Sequence, residues 1–174
     1  MKIDKNTLFY LIAAGVFLVL KLIAGEADGN FFSFLLKPVA GMIEIFSGTS
    51  STPTPEGAFL FPQFNILIDI SCSGFNFLLL SFLMFSFMLI GYSHSTARKI
   101  LALPISFVCA YLLTILVNTS RILVAILVQD TLGFDHPAIH QAIGIFVYLS
   151  SLIICYQALL LFLNRQNWSN AKLV

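Results

Sequence analysis

The chain has 174 residues, of which 59% are hydrophobic and 10% are charged, and its mean hydropathy is +0.95. These values lie far outside those of soluble globular domains, so they exclude a soluble enzyme and indicate an integral membrane protein. The formal net charge of +1, with Lys and Arg scattered along the chain, gives no sign of a nucleic-acid partner. The length accommodates about four spanning helices of about 20 residues, without a separate soluble domain.

The first two apolar segments are predicted to form one spanning helix and one helix at the membrane interface. Residues 8–25 have lysines before them and acids after them, which is typical of a transmembrane helix. A signal-peptide core is the alternative, but the run is long for one and only a weak small-residue site follows. Residues 31–46 contain Lys37, Pro38 and Glu44, so we expect this helix to lie in the interface rather than to cross.

Residues 49–71 are predicted to form a small segment outside the hydrocarbon. Its first part is rich in Ser, Thr and Pro, as loops are. From Phe59 to Ile70, bulky apolar residues roughly alternate with others, which predicts a short extended or hairpin segment. Open strand edges do not face lipid, so this segment must lie at the surface or against protein. It would deliver Cys72 to the start of the next helix.

The second half of the chain is predicted to contain three more spans, at residues 75–92, 100–117 and 139–163. Between the last two, residues 118–121 are polar, residues 122–128 are apolar but too short to cross alone, and residues 129–137 form a loop. The predicted fold is therefore an all-α membrane protein in which four spans are accompanied by an interfacial helix and an outer extended segment.

The distribution of basic residues predicts the orientation of these spans. With a cytoplasmic N-terminus and four crossings, six Lys and Arg residues fall inside and two outside, which is a strong positive-inside bias. The two outer residues are Lys37 and Arg121. The inner residues are Lys2, Lys5, Arg98, Lys99, Arg165 and Lys172. Both termini are therefore predicted to be cytoplasmic.

Three reactive side chains lie at edges of apolar segments on the predicted outer side, namely Cys72, Arg121 and His140. A free thiol has an ordinary pKa of about 8.5, so a cysteine nucleophile needs a cation, a base or a helix N-terminus nearby. His140 could take the proton, and Arg121 could favour the thiolate or bind an oxyanion. The first N–H groups of the following helix would point towards Cys72. The resulting thioester could react with water, an amine or a hydroxyl, and the residue pattern leaves these outcomes open.

Each of these residues also has a simpler interpretation. A cysteine in an apolar chain is usually a small hydrophobic residue, which fits Cys109 and Cys155 inside the predicted spans. Arg121 could snorkel to the interface, although its polar neighbours favour a wet cavity. His136 and His140 have the i, i+4 spacing of a metal-binding pair, but no third strong ligand is evident. We therefore predict neither a metal nor a cofactor.

A function from another class is compatible with the same residues. In a non-enzymatic membrane protein, such as a transporter subunit or an assembly factor, Arg121 and His140 would form a polar pathway. Such a protein would tolerate the loss of Cys72, whereas a cysteine enzyme would not.

Three short motifs follow one another in a distinctive order. Cys-Ser-Gly stands at a helix start (Cys72, Ser73, Gly74), Asn-x-x-Arg lies on a later helix (Asn118, Arg121), and His-x-x-x-Gly begins the last helix (His140, Gly144). In this order the motifs resemble those of the exosortase and archaeosortase family of membrane-embedded cysteine transpeptidases. The short chain and the sequence from Cys72 to Phe77 are most similar to the small exosortase K type.

This resemblance implies an activity, a set of partners and a location in the inner membrane of a bacterial envelope. The substrates would be exported proteins that end in a short motif, a transmembrane helix and a basic tail, and the new C-terminus would pass to an acceptor of unknown identity. Cys72 would be the nucleophile, His140 the general acid and base, and Arg121 the residue that stabilises charge. Many relatives have a serine shortly after Cys-Ser-Gly, and here Asn76 stands in that region, with Ser73, Gly74 and Asn118 as further supporting residues.

Overall fold

The computed structural model describes residues 5–93, 95–132 and 137–171, which form five α-helices and one small antiparallel sheet. The helices are α1 (Lys5–Gly25), α2 (Ser33–Ser47), α3 (Phe75–Tyr92), α4 (Thr96–Leu132) and α5 (Pro137–Ala171). The strands β1 (Thr52–Pro53), β2 (Phe59–Phe61) and β3 (Ile66–Ile68) pair in the order β1-β2-β3. The predicted all-α membrane class is confirmed, and the alternating segment before Cys72 does form a hairpin.

Five of the described helical segments are long and apolar enough to cross a membrane, whereas four spans were predicted. The additional segment is Gly29–Ser47, whose mean hydropathy of 1.2 is the lowest of the five. It includes α2, whose 15 residues extend about 22 Å, less than the roughly 30 Å of a bilayer's hydrocarbon core. The predicted interfacial location of this helix stays a prediction.

The apolar side of α2 is buried against the sheet and the second half of α4. Its buried residues recur with helical spacing, at Leu35, Leu36, Val39, Ala40 and Ile43. They belong to one cluster with Phe61 and Ile68 of the sheet and with Ile122 and Ile126 of α4. The helix α2 also contacts the part of α4 that precedes Arg121, since the Tyr111 hydroxyl donates to the Phe34 carbonyl at 3.0 Å.

The helix α4 runs without a break through residues for which a span, a polar stretch and a loop were predicted. It has 37 residues, from Thr96 to Leu132. The polar stretch does not end the helix because Asn118 and Thr119 are buried inside the bundle rather than exposed to solvent. Beyond Arg121, the helix continues because α2 and the sheet bury its apolar side.

The helices α1, α3 and α4 pack side by side, and contacts at their ends show which ends lie together. At one end, Lys21 Nζ of α1 donates to Asn76 Oδ1 of α3 at 2.6 Å. At the other, Lys99 Nζ of α4 donates to Asn6 Oδ1 of α1, and Tyr92 donates to Asn164 of α5. The bundle therefore has one end that carries the basic residues Arg98, Lys99 and Arg165 and an opposite end that carries Cys72.

Candidate active site

A short, capped turn presents Cys72 at the end of the bundle. Residues Ile70–Cys72 form a 3₁₀ turn, and its N-cap is Asp69. The Asp69 carboxylate accepts hydrogen bonds from the Ser71 amide at 2.9 Å and from Ser71 Oγ at 2.6 Å. The Cys72 amide donates to the Asp69 carbonyl at 3.0 Å. The backbone on both sides of the thiol is thus held by local hydrogen bonds, and the side chain itself is half-buried.

The helix α3 begins immediately after a glycine with left-handed backbone conformation. Gly74 is the N-cap, with φ +71° and ψ +13°. The buried Ser73 Oγ accepts a hydrogen bond from the Phe75 amide at 3.4 Å. The first N–H groups of this helix were predicted to point towards Cys72, but this one is occupied by Ser73. A Cβ at Gly74 would lie 3.1 Å from Asn118 Cγ and 3.3 Å from Thr114 Cγ2. The position therefore requires glycine both for its φ and for the close approach of α4.

Gly74→Ala is expected to destabilise the protein more than the same change at Gly48. Both glycines have positive φ, but a Cβ at Gly48 would meet open space. We expect Gly48→Ala to cost about 1 kcal/mol from backbone strain alone and Gly74→Ala about 2 to 4 kcal/mol, because Asn118 must also move. Thermal unfolding of both variants in detergent measures the difference. Equal losses of stability would show that the contact with Asn118 contributes nothing.

Asn118 forms hydrogen bonds with both Cys72 and Arg121, the nucleophile and the cation predicted from the sequence. Its side chain is fully buried, with 0% of its surface exposed. Asn118 Nδ2 donates to the backbone carbonyl of Cys72 at 2.6 Å, and Asn118 Oδ1 accepts from Arg121 Nε at 3.1 Å. A third bond, at 2.6 Å, comes to the same oxygen from the Tyr148 hydroxyl. The amide therefore fixes three elements, the Cys72 turn, α4 and α5, at one point.

Arg121 is enclosed by α5 as well as by Asn118. Its guanidinium carbon lies 5.7 Å from the centroid of the Tyr148 ring, which is cation–π geometry. Gly144 is buried against it, and a Cβ there would lie 3.6 Å from Arg121 Cδ. The snorkelling interpretation is not needed, because the polar head of Arg121 has protein partners.

His140 occupies the first turn of α5, and its side chain lies outside the described residues. Positions 140, 144 and 148 are each one helical spacing of four apart, so they share one face of α5. The other two positions on this face, Gly144 and Tyr148, both contact Arg121. Position 140 therefore belongs to the same helical face as Gly144 and Tyr148, and the role of His140 stays a prediction. His136 also lies outside the described residues.

Two cavities meet at Arg121. The helix cavity, of about 470 Å³, lies between α1, α3 and α5 and is lined by the polar residues Lys21, Ser71, Ser73, Asn76, Arg121 and Tyr148 among apolar ones. The sheet cavity, of about 270 Å³, is lined by β3 and α4 and includes Cys72 and Arg121. No Asp or Glu is among the described residues that line either cavity, so both have cationic character.

Two residues of this region were not predicted as part of the site. Tyr148 looks like any aromatic residue of a span, although its spacing from His140 and Gly144 was a usable signal. Lys21 lies in the apolar run of α1, where an ionisable residue is costly and often functional. Its bond to Asn76 brings the predicted supporting residue Asn76 to the rim of the helix cavity.

Comparison with known proteins gives one family. The sequence profile of the transmembrane exosortases (Exosortase_EpsH) matches residues 53–157, which is more than half of the chain. The chain belongs to the transmembrane exosortase family. No curated protein and no solved structure matches it. In this exosortase the matched range includes Cys72, Asn118, Arg121, His140 and Tyr148, whereas α1 with Lys21 precedes it.

The described part of the exosortase offers no cluster of three or more His, Cys, Asp and Glu residues that could hold a metal ion. Its cysteines Cys72, Cys109 and Cys155 are all free thiols. What this arrangement offers chemically is therefore a thiol and a guanidinium that line one cationic cavity, and an amide that binds the Cys72 backbone carbonyl and Arg121 Nε.

Proposed function

We propose that this exosortase, of the small exosortase K type, is a membrane cysteine transpeptidase that removes a C-terminal sorting signal from exported proteins. The observation that carries the proposal is the Asn118 amide, which binds the Cys72 carbonyl and Arg121 Nε at 2.6 and 3.1 Å. One buried side chain thus connects the backbone of the proposed nucleophile to the proposed cation, which supports an electrostatic role for Arg121 in reactions of Cys72.

In the proposed reaction, Cys72 is the nucleophile, Arg121 stabilises charge and His140 is the general acid and base. His140 takes the proton of the Cys72 thiol, Sγ attacks the carbonyl carbon of the scissile peptide bond, and Arg121 stabilises the oxyanion that forms. The C–N bond then breaks, and the leaving amine takes a proton from His140. The new C-terminus is left as a thioester on Cys72. An acceptor amine or hydroxyl attacks this thioester while His140 takes its proton, and the Cys72 thiolate leaves, which completes a transpeptidation.

The location of the helix cavity supports the proposal that the substrate is cleaved at a bond next to a transmembrane helix. Three membrane helices, α1, α3 and α5, border the cavity, and its polar residues lie at the end of the bundle that carries Cys72. A substrate helix lying in the bilayer beside α1 or α5 would bring the short motif that precedes it to Arg121 and Cys72. The substrate partner is therefore proposed to be an exported protein with a C-terminal motif, a helix and a basic tail.

The proposed orientation places the site on the outer face of the inner membrane and both termini in the cytoplasm. It is supported by the separation of charges in the bundle, since Arg98, Lys99 and Arg165 lie at the end opposite to Cys72. Basic residues favour the cytoplasmic side of a membrane. The basic tail of the substrate would then remain cytoplasmic while its motif reaches the site.

The proposal is tested by co-expressing the exosortase with a tailed exported protein from the same genome and measuring the intact mass of the product. We expect loss of the helix and basic tail, with a product mass that equals the new C-terminus plus an acceptor. A matched substrate with the same helix and tail but a scrambled motif should stay intact. A product that carries only a free carboxylate would show hydrolysis in place of transfer, and an uncleaved substrate would contradict the proposed activity on that protein.

A further inference from the structure

Tyr148 makes the third hydrogen bond of Asn118 and was not among the residues expected at the site. Its hydroxyl lies 2.6 Å from Asn118 Oδ1. Its ring stacks on Phe77 of α3, with centroids 4.6 Å apart and an interplanar angle of 19°, and its other neighbour is the Arg121 guanidinium. The side chain is therefore held on one side by an aromatic ring and contacts the cation on another.

The donors and acceptors around Asn118 determine which way each proton points. Arg121 Nε is only a donor and the Cys72 carbonyl is only an acceptor, so the amide oxygen must face Arg121 and the amide nitrogen must face Cys72. The Tyr148 hydroxyl lies at that amide oxygen and must donate to it. Because its proton is engaged in this bond, Tyr148 is not placed to protonate a leaving group.

We propose that Tyr148 is a positioning residue, which holds Arg121 beside Cys72 through two contacts. The first is indirect, through the Asn118 oxygen that Tyr148 and Arg121 share; the second is direct, through the face of its ring. The inference rests on the proposed function in that it takes Arg121 as the group that stabilises charge at Cys72. In this proposal α5 has two functions, because it carries His140 and also holds Arg121 in position through Tyr148.

The test uses Tyr148→Phe, which removes the hydrogen bond and keeps the ring, its stacking on Phe77 and its contact with Arg121. The matched control is Tyr156→Phe, the same change two turns further along α5 at a residue that is 42% exposed. With the tailed substrate, we expect Tyr148→Phe to lower kcat by about 5- to 10-fold, the effect of one hydrogen bond, with KM unchanged within about twofold. Tyr156→Phe should match the wild type.

A second readout needs no substrate. The rate at which iodoacetamide alkylates Cys72 depends on the charged groups beside the thiol, and peptide mass spectrometry separates Cys72 from Cys109 and Cys155. We expect Tyr148→Phe to slow this alkylation about threefold in the wild-type background and to have no effect in Arg121→Ala, because the tyrosine acts through the arginine. The Tyr156→Phe control should leave the rate unchanged in both backgrounds.

The two readouts separate the failure of this inference from the failure of the proposed function. Equal alkylation rates in Tyr148→Phe and the wild type would overturn the positioning role. The positioning role would also be overturned if Tyr148→Phe lowered the alkylation rate by the same factor with and without Arg121. A residue with a purely structural effect would give that result. A wild-type protein that leaves every tailed substrate intact, but whose Cys72 alkylation depends on Tyr148 as expected, would contradict the transpeptidase function and support the positioning of Arg121.

Discussion

Cys72→Ala is expected to abolish removal of the substrate tail, with a decrease of at least about 1,000-fold in kcat, because no other group on the described surface of the sheet cavity can form the acyl intermediate. The variant should still fold, since the residue's hydrogen bonds to Asp69 and Asn118 are made by its backbone. Cleavage is measured by the mass of a co-expressed tailed protein, with the amount of exosortase in the membrane determined in parallel.

The remaining cysteines provide matched controls for this experiment. Cys109 on α4 and Cys155 on α5 line neither cavity, so Cys109→Ala and Cys155→Ala should retain wild-type cleavage. In the wild type, a covalent adduct on Cys72 whose mass equals the substrate without its tail would identify the thioester directly. Substantial cleavage by Cys72→Ala would eliminate the cysteine mechanism. It would favour a function that depends on Arg121 and His140 alone.

Arg121→Lys is expected to lower kcat by at least about 100-fold, although it keeps the positive charge. The reason is geometric. Arg121 uses Nε to bind Asn118 while its guanidinium carbon lies over the Tyr148 ring, and an ammonium group on a flexible chain cannot make both contacts. Asn118 would then lose a partner for its buried oxygen. Single-turnover cleavage of the tailed substrate separates this effect on chemistry from an effect on binding.

The matched control is Arg98→Lys, the same substitution near the opposite end of α4. The Arg98 side chain is exposed, so this variant should cleave at the wild-type rate. If Arg121→Lys also cleaved at the wild-type rate, a positive charge alone would suffice, and the shared hydrogen bond with Asn118 would have no part in the reaction. If Arg121→Ala retained full activity, Arg121 would have no part in the proposed mechanism.

Much of the architecture could be predicted because a segment that crosses the hydrocarbon core of a bilayer must be apolar, and hydropathy identifies such segments. The apolar runs located the cores of α1, α3, α4 and α5, and the alternation before Cys72 predicted the hairpin. The full length of α4 could not be predicted. A polar stretch such as residues 118–121 normally marks the end of a span, and only tertiary packing shows that Asn118 is buried and hydrogen-bonded to Arg121 inside the bundle.

The candidate site was predictable to a similar degree. Cys72, Asn118 and Arg121 stand out because polar groups at the edges of apolar runs need a reason to be there, and the structure brings these three together. Tyr148 and Lys21 were missed although each left a signal in the sequence, because their hydrogen bonds join helices that are distant in sequence. The side chain of His140 is not among those that the structure describes, so the role of His140 stays a prediction.

The shared attachment of Cys72 and Arg121 to Asn118 has a mechanical consequence in a bilayer. Membrane helices tilt and bend when the thickness of the surrounding lipid changes, and a site assembled from separate helices would be pulled apart by such motion. Here the turn that carries the thiol is tied to the same residue that holds the guanidinium, one helical turn away on α4. Tilting of α4 therefore moves the two groups together, so the distance between them is insulated from the thickness of the membrane in which the protein resides.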